Sequence, residues 1–256
     1  MSLTLIIPPA AEPVDLATAK LHLRVDHDDE NTLIEFLITA ARHHLDGADG
    51  ILRRQLVTAT WELWLDKWPR EKHISIPLPP LQSVIPIKYY GTDNAEYILD
   101  PDTYFVDTKS EPGRLVLNYG EQLPSITLRP ANGVVVQFVA GYSYYSGTVD
   151  TNGVTVTKIA GDDFNMTWPV GKSIIINNVV YTIASVASVT SLTLTATAGT
   201  QTGAAYSAND VPQAIKAAIL LLIGDLYEHR EARQEIKAED NSTVMRLLWL
   251  YRVWSW

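Results

Sequence analysis

The sequence contains no cysteine. Disulfides, Cys-ligated zinc and thiol catalysis are therefore excluded, and folding in a reducing cytoplasm is expected. Long hydrophobic runs are missing as well. The longest strongly apolar stretch, 217–224, lies between Lys216 and Asp225. It falls far short of the ~18 residues of a membrane span, so no membrane partner is expected. The opening "MSLTLIIPPAAEP" has no basic stretch and does not read as a signal peptide. Positive charge is scarce: 20 Lys and Arg stand against 29 Asp and Glu, a net charge of −9. A protein that grips DNA phosphates needs a concentrated basic face. The densest basic cluster, Lys67, Arg70 and Lys72, is interrupted by Glu71. Specific duplex binding is not expected. An acidic surface can still line a path for DNA, because repulsion prevents sticking.

Catalytic motifs are scarce too. There is no G-x-S-x-G, no phosphate-binding G-x-x-x-x-G-K-[ST], no H-E-x-x-H and no dinucleotide-binding glycine fingerprint. An EF-hand loop starting at Asp26 would need Gly at 31 and Glu at 37, where Asn31 and Leu37 stand. The acids of "DHDDEN" read instead as helix caps in a solvated turn. His43 and His44 are adjacent, so on a helix they point about 100° apart and cannot easily share a metal. Glu228, His229, Arg230, Glu231 and Arg233 read as ion pairs at a helix end. Trp61 and Trp64 have opposite strand parity, which argues against a flat sugar platform and for core or interface packing. No enzyme activity, cofactor or metal is expected.

What is present is a globular composition, 46% hydrophobic and 19% charged over 256 residues. Composition divides the chain into four parts. Residues 15–54 are helical, with Asp15 as N-cap of "LATAKLHLR" and Asp28 or Asp29 as cap of a longer helix. In that helix Leu33, Phe36, Leu37, Ala40, Ala41 and Leu45 follow an amphipathic rhythm. Residues 55–142 are β-rich. In "TATWELWLDKWP" Trp61, Leu63 and Leu65 alternate against Glu62, Trp64 and Asp66. Two strands meet at Pro79-Pro80 and two more at Pro112-Gly113. Residues 143–209 are rich in Thr, Val, Ser and Ala, carry no arginine, and suggest a hairpin at Asn177-Asn178. From Val211 the chain returns to helix, with Pro212 in the first turn and Ile215, Ala218, Ile219, Leu222, Leu226 and Tyr227 on one face. Asn241 or Ser242 then caps a last short helix. The expected fold class is α+β: a helical core of N-terminal helices plus a long C-terminal helix, a small antiparallel β portion, and an inserted all-β module. The expected division is 1–142 with 211–256, and 143–210.

The chain ends "LLWLYRVWSW", with three of its seven tryptophans in ten residues. Two readings are open. Leu247, Leu248 and Tyr251 have the spacing of a helix packed on its own subunit. Alternatively Leu247, Leu248, Trp249, Tyr251, Arg252, Trp254 and Trp256 form an anchor, since Trp, Tyr and Arg dominate interface hot spots.

Residues 12–50 resemble the opening of the tailed-phage head–tail connector (adaptor) family. Pro13, Leu16, Ala19, Lys20, Leu23, Arg24, Asp26, Asp28, Asp29, Leu33, Ile34, Leu37, Ile38, Ala40, Ala41 and Arg42 match its pattern. "TATWELWLDKWP", "IPLPPLQSVIPIKYYG" and "GVVVQFVAGY" resemble its middle strands, and "VPQAIKAAILLLIGDLYEHREA" its closing helix. The resemblance implies a homo-oligomeric ring, usually dodecameric, under the phage portal protein at the virion neck, assembled in the host bacterial cytoplasm. The ring would extend the DNA channel and dock a downstream stopper or tail protein, and a C-terminal segment would contact the portal or an adjacent subunit. Candidate channel-facing acids are Asp26, Asp28, Asp29, Glu30, Glu239 and Asp240. The departure from the family is the β module between Tyr142 and Val211. Two alternatives stay open: a tail-completion protein, and a carbohydrate-binding or hydrolytic protein with a β module.

Overall fold

The computed structural model describes residues 1–71, 73–229 and 242–254. Among the described residues four helices form one layer: α1 (Leu16–Leu23), α2 (Asn31–Leu45), α3 (Gln213–Glu228) and α4 (Ser242–Leu248). Asp15 caps α1, its carboxylate accepting the Thr18 backbone N–H at 2.8 Å. Arg24, at φ 58°, ends that helix in the left-handed region. The cap of α2 is Glu30, without a side-chain cap bond. Asp28 is engaged elsewhere: Lys20 Nζ donates to it at 2.7 Å. The buried stripe of α2 is Ile34, Ile38, Ala41 and Leu45, while Phe36 is 72% exposed. The stripe is thus rotated from the expected one, since Ile34 and Ile38 satisfy i, i+4 spacing as well as Phe36 does. These residues meet Ile215, Ala218, Ile219, Leu222 and Ile223 of α3 and Val244 and Leu248 of α4. Full burial of each large aliphatic side chain contributes roughly 1.5–3 kcal/mol.

The chain begins with a strand, β1 (Ser2–Ile7), which pairs with β2 (Ala59–Leu65). With β9 (Val134–Ala140), β5 (Lys88–Tyr90) and β6 (Glu96–Ile98) it forms a sheet in the order β1-β2-β9-β5-β6; β4 (Leu81–Val84) also pairs with β9. β3 (His73–Ile76), β8 (Gly113–Leu117) and β7 (Tyr104–Asp107) make a second, three-stranded sheet. Leu63, Ile76, Val134, Val136 and Phe138 are fully buried between them, and Trp61 and Leu65 pack on the same cluster. The alternation read in "TATWELWLDKWP" is therefore the inward face of a real strand.

The remaining six strands close into a barrel: β10 (Tyr144–Asn152), β11 (Thr155–Gly161), β14 (Ser191–Leu194), β13 (Val179–Ser188), β12 (Ser173–Ile176) and β15 (Thr200–Asn209), in that order. Closure removes free sheet edges. Val149, Val156, Phe164, Ile174, Ile176, Ile183, Leu192 and Tyr206 fill the interior. The turn between β12 and β13 is Asn177-Asn178, both at positive φ, 47° and 62°. Gly147 is demanded by the close passage of β11: a Cβ there would sit 2.1 Å from the Ala160 carbonyl oxygen.

The expected helical core with a small β portion is overturned. Among the described residues, strands hold 38% and helices 21%. Of three hydrophobic clusters one is helical; the sheets and the barrel each have their own. The C-terminal helix α3, 16 residues, is scarcely longer than the 15 of α2. The reason is physical. The strands outside the barrel are only 3–7 residues long, and several pair with partners far away in sequence, as with Leu3 opposite Leu63 and Leu63 opposite Val136. Local periodicity registers a helix strongly and such strands weakly.

Where β15 leads into α3, one carboxylate gathers four donors from the barrel. Asp210 accepts hydrogen bonds from Lys172 Nζ (2.9 Å), Trp168 Nε1 (2.8 Å), Tyr145 Oη (2.9 Å) and Asn165 Nδ2 (3.3 Å). Burial pushes its carboxyl up, but the Lys172 ammonium and these donors outweigh that and hold it below its ordinary value.

Candidate interaction surface at the C-terminal segment

The segment 242–254 has two unlike faces. Its inner face belongs to the subunit's own core. Val244 and Leu248 are each 1% exposed, and Leu247 and Tyr251 pack beside them. Beyond α4 a single turn of 3-10 helix, Trp249–Tyr251, leads into extended backbone. That backbone is pinned twice. The Val253 N–H donates to the Leu52 carbonyl at 3.0 Å. Arg54 Nε donates to the Tyr251 carbonyl at 2.8 Å. Arg54 is 5% exposed, and its other nitrogens donate to the Glu111 carboxylate and to Tyr142 Oη. Burial alone would lower its pKa. The hydrogen bond to the Glu111 carboxylate and its charge, with the Tyr142 hydroxyl, raise it above the ordinary arginine value instead, so the guanidinium stays ionised.

The outer face is open. Trp249 and Trp254 are more than half exposed, and Leu250 is 87% exposed. The two indoles meet edge to face, with centroids 4.7 Å apart and planes at 63°. The Arg252 guanidinium lies 4.6 Å from the Trp254 ring centroid, a cation–π contact. Neither Arg246 nor Arg252 forms an ion pair among the described residues. The result is a preformed aromatic clasp carrying positive charge on a chain of net charge −9. Exposed, ordered Trp and Arg are the types that carry binding energy at interfaces. Of the seven tail residues expected as an anchor, the structure turns Leu247, Leu248 and Tyr251 inward and Trp249, Arg252 and Trp254 outward. Trp256 lies outside the described residues.

Arg54, Leu52 and Glu111, which fix this segment, were not singled out in the sequence. A signal does exist: Arg53 and Arg54 sit between the apolar pairs Ile51-Leu52 and Leu56-Val57, an unusual place for charge.

The first interhelical turn lies at the opposite end of the helical layer. Asp26, Asp28 and Asp29 are exposed. The Lys20 hydrogen bond and charge hold the Asp28 carboxyl below its ordinary value. Glu30 is turned inward and accepts a hydrogen bond from Tyr227 Oη. Glu239 and Asp240 lie outside the described residues. No cluster of three or more metal-ligating side chains is present among the described residues.

No family model matches the chain. A segment of 47 residues is 38% identical to the head completion protein gp6 of Enterobacteria phage HK97; it makes up 18% of this chain and spans 44% of that protein. The fold is similar along the whole chain to a protein in the neck of an empty gene transfer agent particle computed with C6 symmetry. The TM-score is 0.61 at 15% identity, covering 100% of this chain and 97% of the other. A chain of the native gene transfer agent virion gives a TM-score of 0.61 at 16% identity, with the same coverage.

Proposed function

We infer from these likenesses, which support the phage head–tail connector family, that this chain is a structural head–tail adaptor of a phage-like particle. In this reading copies of the chain form a ring in the neck, beneath the portal. The ring extends the DNA channel and docks the next neck or tail component. The observation that carries it is the fold match to a neck protein, which spans the barrel as well as the helices and sheets. A head-completion-like segment points the same way.

The chemistry is consistent with passive passage of DNA. The exposed carboxylates of Asp26, Asp28 and Asp29 are candidates for a channel lining, because repulsion keeps phosphates from adhering. Glu30 is a weaker candidate, since Tyr227 already occupies it. The outward face of the C-terminal clasp is the proposed attachment surface, for the portal or a neighbouring subunit. No catalytic role or cofactor is assigned.

Electron microscopy tests this directly. Portal-bearing heads lacking the adaptor, incubated with the purified chain, should gain a ring of density beneath the portal. Heads that gain none at saturating protein overturn the reading. Density at the far end of isolated tails would mark a tail-completion protein instead.

A further inference from the structure

We propose that the C-terminal clasp docks into a groove on a second copy of this chain, the groove between α1, the start of α2 and the barrel. This rests on the anchor reading above and names its occupant. The groove has a volume of about 640 Å³. Its apolar lining residues include Leu16, Leu21, Val25 and Ile175. Leu21 is 72% exposed at this groove, where a docked side chain would cover it. Of its charged residues, Asp15 caps α1 and Asp28 pairs with Lys20, which leaves Glu35 as the unpaired acid of the lining. Lys20 is already engaged by Asp28 and Asn31, and Glu35 forms no ion pair among the described residues.

The clasp is the complement of that groove in both respects. It offers the aromatic and aliphatic surface of Trp249, Leu250 and Trp254, and the positive charge of Arg252. Charge complementarity therefore selects this occupant, and the chain itself supplies both halves.

The clasp cannot fill the groove of its own subunit. The groove is built at the N-terminal end of α2, from Asp28, Asn31 and Glu35. The clasp is tied beyond the C-terminal end of α2 by Val253 to Leu52, and Leu52 in turn donates to the Leu45 carbonyl at 3.1 Å. Glu35, the groove residue farthest along α2, lies ten residues before Leu45, about 15 Å along the helix axis. The contact must be made between copies. It joins unlike surfaces, so it is heterologous, and repeated head to tail it generates a ring when the rotation closes.

The chain has no cysteine, so introduced thiols report alone. Leu250→Cys and Leu21→Cys are prepared as separate full-length proteins, mixed and mildly oxidised, in solution and on portal-bearing heads. The expected result is a mixed disulfide dimer forming several-fold faster than either homodimer, and a ladder of multimers from the chain carrying both changes. Adding Arg252→Glu to the first protein, or Glu35→Lys to the second, should slow the mixed dimer several-fold, and combining them should restore it. A mixed dimer in no more than statistical proportion, in both settings, overturns the proposal; so does a charge swap that fails to restore. Faster Leu250→Cys homodimers would show clasp meeting clasp and overturn it equally. A ring on the portal without mixed dimer leaves the adaptor reading standing and removes this one. Mixed dimer without portal attachment does the reverse.

Discussion

Arg54 donates to the backbone carbonyl of Tyr251 at 2.8 Å, across 197 positions of sequence. This bond joins the end of the helical layer to the C-terminal segment, and Glu111 from the sheets completes it on the other side of the guanidinium. Three parts of the chain meet on one buried cation. The clasp is therefore held out on a fixed base.

Replacing Arg54 by Met should loosen that base. The change strips the Tyr251 carbonyl and the Glu111 carboxylate of their donor. Removing one partner of a buried pair costs about 3–5 kcal/mol; Glu111 is half exposed, so about 2 kcal/mol is expected. Arg54→Lys should fall between, because a lysine keeps the charge but cannot present the guanidinium fork. Thermal unfolding gives the magnitude. Hydrogen exchange should show faster loss of protection at Val253 before the core opens.

Truncation and surface substitution of the tail should part company. Leu248 is 1% exposed in the helical cluster, so Leu248→Ala should cost roughly 2–5 kcal/mol. Deleting 247–256 would remove that packing along with the clasp, and its effect on attachment would be uninterpretable. Trp249→Ala with Leu250→Ala and Trp254→Ala removes the exposed face. It should shift stability by less than about 1 kcal/mol while abolishing attachment. A large loss of stability in this triple variant would mean that the outer face is structural.

The division of the tail shows what the sequence discloses and what it hides. "LLWLYRVWSW" announces an aromatic surface, but which residues face inward depends on where Leu52 and Arg54 lie, and no local pattern contains that. The same holds in α2, where Ile34 faces in and Phe36 out. Local chemistry was readable wherever it was local: the Asp15 cap, the Asn177-Asn178 turn and the strands flanking Pro112-Gly113 are all present. Strand β1 was missed because "SLTLII" has meaning only opposite residues 60–64 of β2. The preponderance of β structure was missed for the same reason, many short strands paired at long range.

The Asp210 hub yields a second stability prediction. Asp210→Ala would leave Lys172, 8% exposed, without its carboxylate, at a cost of about 3–5 kcal/mol. Asp210→Asn keeps some of the bonds and should cost less. The sign with pH follows from the lowered pKa of Asp210. The stabilisation is present above the unfolded carboxylate pKa and is lost as pH falls through the lower folded value. Acid unfolding of wild type against Asp210→Asn, followed by tryptophan fluorescence, should show that difference.

Lys216 behaves in the opposite way. It sits mostly buried in a cleft of about 130 Å³ between α1, α3 and the barrel, and its ammonium has no hydrogen-bond or ion-pair partner among the described residues. Burial, then repulsion from Lys172, pushes its ammonium down to about 8, against the pull of Asp15 and Asp210. The unfolded chain therefore binds more protons than the folded one between pH about 8 and the ordinary lysine value. In that window stability contributed by this group rises with pH. At pH 7 the folded state carries the cost of a charged, unpaired, buried lysine, up to about 3 kcal/mol by the size of the shift. Lys216→Met should remove that cost and stabilise the protein at pH 7, with the advantage shrinking towards pH 10. Denaturant unfolding of both proteins at pH 7, 8.5 and 10 measures it. A Met variant that is less stable at pH 7, or whose advantage does not change with pH, would show that Lys216 finds a compensating partner in solution.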